Sequence, residues 1–184
     1  RIAGRDWAGR VELAVGNVED LASLGAACRG ADAAYYLVHL MGSGRDFPER
    51  DRAAAHNFAA AAAGIGRVIY LGGLVPAGER ISPHLASRAE VGEILRAGLP
   101  TLEFRAGPVI GSGSASCEMV RYLTERLPAM IAPRWILSEV QPIAVRDVLS
   151  YLLLALERGE PGVYNVGGEP LSFKAMMEEF ARVR

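Results

Sequence analysis

The sequence predicts an α/β fold, a doubly wound parallel sheet covered by helices, on three observations. Short apolar runs alternate with helix-length segments along the chain, the order that parallel strands joined by crossovers require. One run, Ala33 to Leu40 (AAYYLVHL), is nearly continuous in apolar residues, as expected for a strand covered on both faces. Glycines follow the runs where a strand's carboxyl end has to turn, at Gly16, Gly42, Gly72–Gly73 and Gly111.

Taken in order, Val11 to Val15 is a short strand candidate closed by Gly16-Asn17. Asp20 can cap a helix running to about Cys28, with Leu21 and Leu24 on one face. After the 33–40 strand and the Gly42-Ser43-Gly44 break, Asp46 to about Ala63 is Ala-rich and favours helix. Val68 to Leu71 is a strand, Pro83 to Ala97 a helix, and Thr101 to Ile110 a strand ending in the Gly/Ser loop 111–116. Met119, Tyr122 and Leu123 lie at helical spacing on a helix from about Cys117 to Leu127, and Pro128 and Pro133 interrupt the next stretch. Gln141 to Val145 reads as a short strand, Arg146 to Arg158 as a helix and Gly162 to Val166 as a last strand. Ser172 caps a closing helix.

With 184 residues, 51% of them hydrophobic and 22% charged, the chain is long enough to bury one core and too apolar to be disordered. A net charge of -1 gives no electrostatic case for nucleic acid or an anionic membrane. Cys28 and Cys117 have no partner spacing, no run reaches membrane-span length and no signal-peptide pattern opens the sequence, so a soluble, cytoplasmic protein is expected. His39, His56 and His84 share no metal-ligand spacing. There is no Gly-x-Ser-x-Gly elbow, and the only lysine, Lys174, excludes a Walker loop. Tyr35-Tyr36 reads as core rather than as a stacking platform.

The stretch Arg67 to Leu95 (RVIYLGGLVPAGERISPHLASRAEVGEIL) carries the chemistry. A strand, a Gly-Gly break, a polar loop and a helix bring a strand's carboxyl end and a helix to one place. It resembles the active-site segment of the short-chain dehydrogenase/reductase superfamily, in particular its atypical and extended NmrA-like and YbjT-like members. Gly16-Asn17-Val18-Glu19-Asp20, Arg105-Ala106-Gly107-Pro108-Val109-Ile110, Gln141 to Val148 and Gly162-Val-Tyr-Asn-Val-Gly-Gly168 resemble further elements of that family. The similarity covers nearly the whole chain.

The resemblance implies a Rossmann-like doubly wound parallel sheet, matched from the family's third strand onward. On that basis the chain is expected to be N-terminally incomplete, lacking the strand and glycine turn that hold the pyrophosphate. It also implies a partial NAD(P)-binding region over 1–110 and a substrate-side extension over 111–184 within the same domain. NADP or NAD is the implied cofactor. The choice between them falls on a second-strand residue outside the sequence. A small-molecule substrate of unread class is the implied partner.

The cofactor contacts implied by resemblance are Asn17 and Val18 near the adenine, Leu37, Val38 and His39 beside the ribose, and Leu71, Gly72, Gly73, Ala106, Gly107 and Val109 along the nicotinamide. The family's Tyr-x-x-x-Lys is replaced by His84-Leu-Ala-Ser-Arg88, which implies His84 for proton transfer and Arg88 for the ribose hydroxyls. The family's Ser or Thr gives way to Gly72-Gly73, with Ser82 the nearest hydroxyl. Asn57 aligns with a helix Asn of the family, or is a solvated or backbone-bonded helix residue. Residue by residue, His84 can equally be an exposed or capping histidine and Arg105 an ion-pair residue. The 111–116 loop nearly matches a dinucleotide fingerprint, against a plain turn bordering the cleft. Two functions stand: an NAD(P)-dependent oxidoreductase or epimerase-like enzyme, and a non-catalytic dinucleotide sensor of NmrA type. A third expectation is that the sequence binds nothing without a phosphate loop.

Overall fold

The computed structural model describes residues 5–40, 44, 46–76, 81–112, 114–126 and 134–182. Gly42, Ser43, Gly113, Pro128 and Pro133 of the sequence reading lie outside the described residues. The elements are α1 (Leu21–Cys28), β1 (Ala33–Tyr36), α2 (Phe47–Ala61), β2 (Arg67–Gly73), α3 (Pro83–Gly98), β3 (Thr101–Ala106), β4 (Val109–Ile110) and α4 (Ala115–Arg126). After these come β5 (Glu139–Val140), β6 (Ile143–Ala144), α5 (Val145–Glu157), β7 (Gly162–Val166), β8 (Leu171–Ser172) and α6 (Phe173–Arg182).

The main sheet has the order β1-β2-β3-β7, all parallel. Alternation along β2 sends Val68 and Tyr70 to one face and Ile69 to the other. On the first face they meet Ala55 and Phe58 of α2 and Val91 and Leu95 of α3, with Leu24 of α1 at the margin. On the second face Ile69, Leu102 and Phe104 pack under Val148 and Leu152 of α5. A third core joins Val120 of α4 to Phe173, Met176 and Met177 of α6. The α/β doubly wound reading is thus the architecture observed.

The helix starts follow their local chemistry. Asp20 accepts from the Ala22 amide at 3.0 Å, Ser82 from Leu85 at 3.2 Å and Ser172 from Ala175 at 3.1 Å. Pro83, at the first position of α3, has no N–H to leave unpaired there. Where α5 ends, Arg67 of β2 donates through Nη1 to the carbonyls of Ala155, Arg158 and Gly159 at 3.0, 3.0 and 3.1 Å.

The largest departures from the sequence reading are three. Val11 to Val15 forms no strand and stays exposed, Val15 fully so. A lone extended segment leaves its amides and carbonyls to water, and β1 pairs only with β2 among the described residues. The 101–110 strand divides at Gly107-Pro108, because the Gly107 amide turns to the Val166 carbonyl and Pro108 has no N–H for a ladder. Its second half, β4, then pairs with β6. The 33–40 strand stops at Tyr36, with Tyr35 and Leu37 exposed rather than covered.

Candidate active-site cleft

At their carboxyl ends β2 and β3 open into a cleft of about 820 Å³. Its lining includes Gly73, Leu85, Ala106, Gly107, Gln141 and Asn165. Parallel sheets place ligand sites at this end of their strands, because the loops beyond them are free to vary there. Gly73 is required for the wall to close. A Cβ there would stand 2.6 Å from Leu85 Cδ1, so a side chain at this position would have to displace the Leu85 side chain.

His84 and Arg88 sit one turn apart on α3, with different commitments. His84 is half-buried, and its Nδ1 is enclosed with no hydrogen-bond partner. The His39 and Phe47 rings each lie 6.4 Å from it, centroid to centroid. Burial first, then the Arg88 charge and then His39, hold the imidazole below its ordinary range, while Asp51 works the other way. Arg88 reaches back to β2, where Nη2 donates to the Leu71 carbonyl. Tyr70, beneath it, donates its hydroxyl to the Arg88 carbonyl at 2.9 Å. Burial dominates the Tyr70 phenol and pushes it up to about 12, too weak an acid to stand in for the family's tyrosine.

Helix α2 gathers the remaining segments. Asn57 donates to the Val18 carbonyl at 3.1 Å, so it is a backbone-bonded helix asparagine. Asn17 accepts the Glu19 amide at 3.0 Å, and Glu19 pairs with Arg50 at 2.8 Å. Leu37 and His39 are exposed, whereas Val38 packs against the core shared by α2 and α3. Arg52 of α2 pairs with Glu90 of α3 at 2.6 Å.

Other residues lie apart or are already engaged. Val109 pairs with Ile143 and packs against the α5 core. Ser82 is the cap of α3. Ser114 donates to the Val109 carbonyl at 3.0 Å and accepts the Cys117 amide at 3.1 Å, the work of a turn leading into a helix. Arg105 pairs with the buried Glu103 at 2.7 Å, the ion-pair role. Among the described residues no cluster of histidine, cysteine and carboxylate could hold a metal ion, and no helix is long and apolar enough to cross a membrane.

Sequence reasoning passed over Asp51 and Ser87, which are 4% and 3% exposed and joined by a hydrogen bond of 3.0 Å. The signal was present. Asp51, Ala54, Ala55 and Phe58 stand at i, i+3, i+4 and i+7, so the carboxylate occupies the buried stripe of α2.

No family model matches the sequence, and no curated protein matches it. Solved structures do resemble it. A double mutant of DesIV, the dTDP-glucose 4,6-dehydratase of Streptomyces venezuelae bound to NAD and DAU, is 20% identical with a TM-score of 0.73, over 91% of this chain and 62% of that one. WbmG of Bordetella bronchiseptica, in complex with NAD, is 19% identical at 0.75, over 91% and 61%. The UDP-glucose 4-epimerase of Thermus thermophilus, in complex with NAD, is 21% identical at 0.73, over 98% and 72%. The fold is that of these NAD-bound dehydratase and epimerase structures. The chain spans about three fifths of the length of the first two (62% and 61%).

Proposed function

We propose that the protein is an NAD(P)-dependent oxidoreductase, epimerase-like in fold and atypical in its catalytic residues, acting on a small molecule in the cytoplasm. The observation that carries this reading is His84. It is a half-buried imidazole at the start of α3, beside the carboxyl ends of β1 and β2, with Nδ1 enclosed and unpartnered. The cleft would take the nicotinamide half of a dinucleotide along Gly73, Ala106 and Gly107, which line it, with His84 next to the lining residue Leu85. Leu71, Gly72, Gly73, Ala106 and Gly107 would hold that half, and Asn17, Val18, Leu37, Val38 and His39 the adenosine half. A bound nicotinamide ring supplies the hydride acceptor for alcohol oxidation and the donor for carbonyl reduction.

The chain's own contribution is the proton. With Nδ1 enclosed, exchange with a substrate runs through Nε2 of His84. Burial keeps the imidazole neutral near neutral pH, so it can accept a proton from an alcohol as the C–H hydride leaves. In the reductive direction Nε2 returns that proton to the carbonyl oxygen, and the demand for a protonated ring favours lower pH. Arg88 donates through Nη2 to the Leu71 carbonyl at the end of β2, and its remaining N–H groups would meet the ribose hydroxyls.

The replacement of the family's Tyr and Lys at His84 and Arg88, with no hydroxyl at Gly72-Gly73, favours a second reading: a non-catalytic NAD(P) sensor of NmrA type. Two measurements separate them. Titration of NADH and NADPH fluorescence against the full-length protein should saturate under both readings. Turnover of a panel of alcohols and ketones should appear only under the first, falling about 10²-fold or more in His84→Ala with cofactor affinity retained. Binding without turnover moves the assignment to the sensor, and absence of binding overturns both.

A further inference from the structure

We propose that Asp51 is the positioning residue of this site, a buried carboxylate that ties the turn of α3 bearing His84 and Arg88 to the segment after β1 bearing His39. The inference rests on the proposed role of His84 and extends it to a second helix. Asp51 is 4% exposed, and each of its oxygens has a separate partner. Oδ1 accepts the Leu40 amide at 2.9 Å, one residue beyond His39. Oδ2 accepts the Ser87 hydroxyl at 3.0 Å, one residue before Arg88 and three after His84. One side chain of α2 therefore fixes two separate walls of the His39–His84 corner, whose rings stand 6.4 Å apart.

Burying a carboxylate on neutral donors costs more than burying an amide of the same shape, so fold stability alone does not explain the charge. His84 supplies the reason. The charged and titratable groups facing it are Arg88 on its own helix, His39 after β1 and Asp51 from α2. The first two disfavour the imidazolium, and Asp51 is the one that favours it. Without Asp51 the imidazole would lose that counterweight and be confined more strictly to the neutral form.

The test uses Asp51→Asn, which keeps size and an acceptor for Leu40, with Ser87→Ala as a variant that spares the charge. The histidine side chains are followed by NMR across a pH titration, alongside kcat and KM for the best substrate found. In Asp51→Asn the His84 midpoint should fall, and kcat should drop about 10-fold or more with KM changed less than about twofold. Ser87→Ala should lower kcat with a smaller movement of the midpoint. An unmoved His84 midpoint in folded Asp51→Asn overturns the proposal. A wild type without turnover whose His84 midpoint still follows Asp51 overturns the catalytic role and leaves the positioning intact.

Discussion

Asp51 and Glu103 are both buried carboxylates on the side of the sheet covered by α2 and α3, yet they are satisfied in opposite ways. Glu103, 1% exposed in the middle of β3, meets two guanidiniums, Arg105 at 2.7 Å and Arg96 of α3. Asp51, beside the segments bearing His39 and His84, takes a backbone amide and a serine hydroxyl. A carboxylate among cations has its field cancelled within its own cluster and serves as a joint. One held by neutral donors keeps its field, which remains available to the histidines nearby. The contrast separates a residue that braces the sheet from one that conditions a site.

Removing Glu103 tests the bracing side and should have the largest effect. Glu103→Ala leaves Arg96 and Arg105 facing one another without a counter-charge, and breaking one side of a buried pair costs about 3–5 kcal/mol. Urea unfolding should show the extrapolated stability lowered by that amount, as a midpoint at lower urea with the slope unchanged. A smaller effect comes from crowding the same joint. A Cβ on Gly92 of α3 would lie 2.4 Å from Glu103 Oε2, so Gly92→Ala has to shift the helix or the carboxylate. Overpacking of that kind costs about 1–3 kcal/mol, and gain of stability in the variant would show that the joint is loose.

The smallest effect belongs to the other region and is read in pH. His84 in the folded protein titrates below its ordinary value of 6.5, chiefly through burial. As pH falls the unfolded chain binds a proton on this residue first, so folding stability declines from about that value down through the lower folded one. Above both values the contribution is complete. His84→Gln should therefore lose less stability than the wild type over this window in parallel urea curves, and equal losses would show that burial of His84 carries no cost.

Much of the scaffold was legible because period and punctuation agree. The serine before Pro83 caps α3 and the 146–158 run became α5 within a residue at each end, while β2 runs on through the two glycines expected to break it, both paired with β3. The two-residue strands β5 and β8 were not legible, since so short a pairing depends on antiparallel contact between Glu139 and Ser172 across the fold. The site was read through its similarity to a known family, which points to His84 and Arg88 and is silent on their partners. Asp51 was hidden among alanines that suggested only helix. Its position on the buried stripe says that the carboxylate is enclosed, and only the tertiary arrangement of β1, α2 and α3 says by what.

The arginine that opens β2 joins parts of the chain that are far apart in sequence. Its bonds to the end of α5 span 88 to 92 residues, so that helix end waits for a contact no local segment can provide. Closing a loop of that length costs somewhat more chain entropy than the nearer pairing of β1, β2 and β3. Interactions completed after the barrier act on the rate of opening and barely on the rate of closing. An Arg67→Met variant is expected to unfold faster with its folding rate nearly unchanged, and a slowed folding rate would place the contact before the barrier.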